Sequence, residues 1–148
     1  MKLISRLGKY YYSASHLPEF LAPVLDFGLR LYLADVFIKS GLTKIQSWDS
    51  TLYLFSDVYN VPLLPPEVAA SMAASAELGL PVLLVLGLFG RFAAAGLFIL
   101  NIVAVISYAD LSQAGLNQHL SWGILLGVLL ILSRNTWSAD TWLEKRLK

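Results

Sequence analysis

Chemistry in this chain has to come from a few polar side chains set inside long apolar runs. Glu77 stands within "SMAASAELGLPVLLVL" and Asn101 within "AAAGLFILNIVAVI". Arg30, Asp35, Lys39 and Lys44 punctuate "RLYLADVFIKSGLTK". A carboxylate beside an arginine in a low-dielectric setting could pass protons or hold a quinone carbonyl. The competing reading is a hydrogen-bonded clamp that fixes helix register. The sequence has no cysteine, which excludes disulfides, thiolate metal sites, iron–sulfur clusters and a Cys nucleophile within this chain. Any redox or sulfur chemistry then draws its reactive group from another subunit or a bound cofactor.

The elements that must position these residues are membrane helices. The 148 residues are 57% hydrophobic and 14% charged, against roughly 25% charged for a soluble domain. The length suits one domain, and the net charge of +1 offers no field for nucleic acid. Spanning the hydrocarbon takes about 20 mostly apolar residues, which predicts four spans over about 23–42, 68–89, 92–108 and 120–132. The fold class is an all-α bundle of four transmembrane helices, forming a single membrane domain.

Lys2, Arg6, Lys9, Arg91, Arg134, Lys145, Arg146 and Lys148 all fall on one side of this arrangement. Positive flanks stay cytoplasmic, so residues 1–22 and 134–148 are expected in the cytoplasm. "YYYSASHLPEF" lacks the apolar core of a cleavable signal. It reads as a short interfacial helix carrying the tyrosines, His16 and Glu19. Between the first two spans, Trp48, Leu52, Phe55 and Tyr59 share one helical face behind Ser47, a candidate N-cap. This predicts a short periplasmic amphipathic helix, either resting on lipid or capping the bundle.

At 100° per residue, Arg30, Ala34, Phe37, Gly41 and Lys44 form one stripe of the first span. Asp35 and Lys39 lie opposite, four apart with the acid first, the favourable order for a helical ion pair. At about 1.5 Å per residue, Glu77 lies about 18 Å above the cytoplasmic end of its span, Arg30 about 11 Å, Asp35 about 18 Å and Asn101 about 14 Å. Similar depth on three helices predicts one buried site of Arg30, Glu77 and Asn101, with Lys44 at the far end of the stripe. Pro81 removes the amide that would bond the Glu77 carbonyl. His119 and Trp122 open the fourth span near the interface with Asp110 opposite, where a histidine reads first as an interfacial hydrogen-bonder. His16 and His119 fall on opposite sides of the membrane, so they cannot together ligate a haem in one monomer. No clustered metal-ligand pattern appears.

"LRLYLADVFIKSGLTKI", "AELGLPVLLVLGLFGRFAA" and "LNIVAV" resemble the DoxX family of small bacterial membrane proteins, over about residues 24–134. The matching pattern is Arg30, Phe37, Gly41 and Lys44 in the first helix, then Glu77, Leu78, Gly87 and Arg91. Asp35 with Lys39 has no place in it. The resemblance implies four helices in the bacterial cytoplasmic membrane and a subunit of a sulfur-linked, quinone-reducing oxidoreductase or a thiol-stress pathway. For the branch with this type of loop, it implies a neighbour of enzymes that modify Cys-rich, metal-binding peptides. Quinone is the cofactor this points to. Lipid, partner proteins and further copies of the chain are the expected partners. A small transporter or export component and a non-catalytic scaffold for soluble enzymes remain open alternatives.

Overall fold

The computed structural model describes residues 17–132 and 138–147. The expectations for the tyrosine-rich segment, His16, Arg134 and the terminal basic residues outside this range lie outside the described residues. Among the described residues the chain is all-helical, with no strand. Its helices are α1 (Leu17–Gln46), α2 (Trp48–Asp57), α3 (Pro66–Leu86), α4 (Gly90–Ser107), α5 (Gln113–Leu132) and α6 (Ala139–Leu147).

α3, α4 and α5 are long and apolar enough to cross a membrane, with mean hydropathies of 1.8, 1.8 and 1.5. The 30-residue α1 has the length but not the composition, because Asp26, Arg30, Asp35, Lys39 and Lys44 interrupt it. It begins six residues before the expected span, so Glu19 belongs to its first turns and not to a separate interfacial helix. Pro18 sits in the first turn, where its missing N–H costs nothing. α5 starts at Gln113 instead of near 120. Its polar opening "QAGLNQH" hides the helix from a reading based on apolar runs.

α1 packs mainly on α3, α3 on α4, and α4 on α5. Leu33 and Phe37 of α1 meet Leu84, Ala93, Ala94, Leu97, Leu126 and Leu129 in one core. The α1 stripe faces inward as its period requires: Arg30 is 2% exposed, Ala34 3% and Phe37 6%. Gly41 lets α3 approach closely, since a Cβ there would lie 2.9 Å from the Leu78 side chain and 3.1 Å from the Glu77 Cβ. α2 caps the bundle. Its Phe55 is buried against Ala69, Ala70 and Ala73 of α3, and Thr51 Oγ1 donates to the Lys44 carbonyl at 3.0 Å. Ser47 holds the N-cap position without a side-chain capping bond.

The α3–α4 turn is built around Gly87, whose φ of +63° is left-handed, a conformation glycine adopts without strain. α6 closes this corner. Asp140 accepts hydrogen bonds from the amides of Phe89 and Gly90 at 2.9 and 3.0 Å, capping α4 from 50 residues away in sequence. Its own amide donates to the Gly87 carbonyl at 3.1 Å. The carboxyl-terminal segment is therefore partly a helix tied to the bundle and not a plain tail.

Candidate functional site

The expected single site of Arg30, Glu77 and Asn101 does not form. The structure divides these residues among three separate polar centres, each with its own partner.

Arg30 pairs within its own helix. Its Nε lies 2.8 Å from Asp26 Oδ2, one turn back. The buried Nε–H and Nη2 make no directed hydrogen bond, so the contact with Asp26 is mainly Coulombic. The guanidinium packs at the α3–α4 turn, where a Cβ on Gly87 would fall 2.6 Å from Nη1. Arg30 thus lies level with the end of α3 and not about 11 Å inside the bundle. The early start of α1 is the reason, since it slides the whole helix relative to α3.

Glu77 instead meets Lys44. The Lys44 Nζ lies 2.9 Å from Oε1 and 2.7 Å from Oε2 and also donates to Ser40 Oγ at 3.0 Å. An ammonium has three N–H donors, and these contacts use all of them. The Glu77 side chain is 10% exposed and that of Lys44 19%, so the pair is largely closed off. Pro81, deeply buried, lies inside the unbroken helix α3.

Asn101 pairs with His119, a partnership that the reading of His119 as an interfacial residue had missed. Asn101 Nδ2 donates to the His119 backbone carbonyl at 2.9 Å. Its Oδ1 lies 2.7 Å from His119 Nδ1. Because the amide nitrogen faces a carbonyl, the oxygen must face Nδ1, and Nδ1 must carry the proton. In the neutral ring Nε2 is then an acceptor. Gly123 makes this clasp possible, since a Cβ at that position would lie 3.3 Å from Asn101 Nδ2. Trp122 packs edge-on against the imidazole with ring centroids 5.0 Å apart and donates to the Tyr32 hydroxyl at 3.2 Å. Asp110 is exposed in the α4–α5 loop.

Asn101 and His119 are the two polar residues that line a groove of about 410 Å³ between α4 and α5, with apolar lining on either side of them. Phe98, Ile102, Val105, Leu120, Gly123 and Ile124 supply much of its apolar wall. Ile102, Leu120 and Ile124 are 45%, 56% and 68% exposed on the outer surface of the bundle. One polar head position in an apolar trough suits a lipophilic molecule with a hydrogen-bonding ring. The remaining expected residues behave differently. Lys39 Nζ lies 2.7 Å from Asp35 Oδ2, but both side chains point outward, 72% and 57% exposed. Among the described residues, no three His, Asp or Glu side chains gather as a metal site would require.

An uncharacterised protein of Haemophilus influenzae is 32% identical over 126 residues, covering 79% of this chain and 82% of that protein. No solved structure matches the chain. The DoxX family pattern matches residues 25–110, which include α3, α4 and all but the start of α1, with Arg30, Lys44, Glu77 and Asn101 among them. The chain therefore belongs to the DoxX family.

Proposed function

We propose that this chain is a four-span subunit of the bacterial cytoplasmic membrane, with both termini in the cytoplasm and α2 on the periplasmic face. In this reading it binds an isoprenoid quinone or quinol in the α4–α5 groove and serves a redox or Cys-rich-peptide modification pathway. The observation that carries it is the Asn101–His119 clasp, the polar point in the lining of an otherwise apolar groove. Asn101 fixes the tautomer, so His119 offers Nε2 as an acceptor to a quinol O–H and can take its proton as general base. The isoprenoid tail lies along Ile102, Leu120 and Ile124. The electrons leave to or arrive from a partner protein, because this chain has no thiol of its own.

α1 becomes the fourth span because most of its charge is neutralised. Arg30 has Asp26, and Lys44 has Glu77, and such pairing lowers the cost of burial in lipid. The Lys44–Glu77 pair is then a clamp between α1 and α3, since its donors are already used.

The test is a titration with a short-chain quinone, followed by the fluorescence of Trp122, which touches His119. A variant with Trp48, Trp137 and Trp142 changed to Phe isolates that signal. Saturable quenching is expected, and Asn101→Leu should weaken it by roughly tenfold or more, as expected for the loss of a buried hydrogen-bonded pair. Unsaturable quenching, or equal affinity in Asn101→Leu, would remove the proposal.

A further inference from the structure

We propose that Gly127 of α5 selects the ligand by its tail, leaving an open floor along which an isoprenoid chain runs from the Asn101–His119 clasp towards the middle of the bundle and not towards the α4–α5 loop. The inference rests on the quinone reading and adds to it the direction of the tail and the residue that admits it.

The groove is asymmetric about the clasp. Towards the α4–α5 loop its lining is Val105, Ile106 and Leu116, all branched side chains. On the other side α5 contributes two glycines one turn apart, Gly123 and Gly127, and Phe98 and Ile124 line the same stretch. Branched side chains fill the groove at one end, and the glycines leave it deep at the other. An apolar chain gains most where it removes most surface from water and lipid contact gaps are filled. A ligand with its head group at His119 therefore gains most by laying its tail over the glycines. Gly127 lies about 12 Å along the helix from His119, within reach of a prenyl chain.

The two glycines lack a side chain for different reasons. A Cβ on Gly123 would lie 3.3 Å from Asn101 Nδ2 and 3.9 Å from the Phe98 ring, so the packing of the clasp itself calls for glycine there. A Cβ on Gly127 would meet nothing within 4 Å. Glycine inside a helix weakens it, and no neighbour in the chain calls for one at 127. The space above Gly127 is thus open, belongs to the groove and serves no contact of the fold. The same gap makes the position suitable for substitution, because a Cβ placed there displaces no protein atom.

Two quinones with the same head group, one carrying four isoprene units and one carrying none, test this against the protein in which Trp122 alone reports. Both are titrated in one detergent at one concentration. Comparing each affinity with that of the parent protein cancels the partition of each quinone into micelles. Gly127→Leu should weaken the tailed quinone by roughly tenfold or more, the worth of about two buried methylenes, and leave the tail-less quinone unchanged. Gly127→Ala should have a smaller effect of the same kind. Gly79→Leu, at an equally open glycine of α3 that does not line this groove, should have none. Unchanged affinity for the tailed quinone in Gly127→Leu, with the tail-less quinone still saturable, overturns the inference and leaves the quinone reading standing. An equal loss for both quinones does the same. Absence of saturable binding by both quinones in the parent protein overturns the reading and the inference together.

Discussion

Glu77→Ala removes the carboxylate from Lys44 and leaves an ammonium, 19% exposed, inside an apolar bundle. Two terms set the size of the effect. Coulomb's law at an effective dielectric near 20 gives roughly 6 kcal/mol of gross attraction at a 2.7 Å contact. Desolvating both ions offsets much of that, so the pair as a whole is worth little against an apolar replacement. Breaking it from one side is different, because the remaining charge stays buried at a cost of about 3 to 5 kcal/mol. Glu77→Ala should therefore destabilise strongly. Lys44→Met with Glu77→Met should recover most of the loss, since neither variant group is charged and both fill space. Reversible unfolding in mixed micelles, run on Lys44→Met, Glu77→Met and the double, yields the coupling energy directly. A clamp predicts large single losses, a mild double loss and normal quinone binding in the double variant. Single losses below about 1 kcal/mol, the level of an exposed pair, would refute the geometry. Loss of quinone binding with stability intact would refute the assignment of this pair as a clamp.

Other consequences are as testable. Gly123→Val should push Asn101 off the His119 carbonyl, since even a bare Cβ would lie 3.3 Å from its amide nitrogen; quinone affinity should fall with little change in helix content by circular dichroism. Asp140→Ala uncaps α4 at Phe89 and Gly90 and should cost about 0.5 to 2 kcal/mol in the same unfolding assay. Burial holds the Tyr59 phenol above its ordinary pKa, with Tyr108 and Glu77 adding to the shift. The fold therefore favours the neutral phenol, and its contribution is complete below the ordinary phenol pKa and lost as pH rises through the folded value. Stability should fall as pH rises above about 10, less steeply in Tyr59→Phe. Single cysteines at Asn60 and Asp110 should react with an impermeant maleimide from the periplasm, and one at Arg91 only after permeabilisation.

Much of this arrangement was legible in the sequence. The stripe of Arg30, Ala34, Phe37, Gly41 and Lys44 follows from helical period alone, as does the pairing of Asp35 with Lys39. The face of Trp48, Leu52, Phe55 and Tyr59 marked α2, and Phe55 of that face packs on the α3 alanines. Partner choice between different helices was not legible. Depth along a span depends on where its helix begins, and the apolar run starting at Pro23 misplaced α1 by about two turns. That shift took Arg30 away from Glu77 and brought Lys44 to it. Asn101 and His119 were both visible, but the polar "QAGLNQH" conceals that α5 begins at Gln113, so the histidine reads as an interfacial residue and not as a partner for Asn101 within the bundle. Asp140 gave no local signal, because the amides it caps belong to a distant turn.

The central claim is that a quinone head group sits against Asn101 and His119. A photoreactive azidoquinone, added to membrane vesicles and mapped by peptide mass spectrometry, addresses it most directly. The account predicts saturable labelling of the α4–α5 groove near Asn101, His119 and Gly123, competed by unlabelled quinone and lost in Asn101→Leu. Labelling centred on Arg30 or Glu77, or labelling that does not saturate, would contradict it.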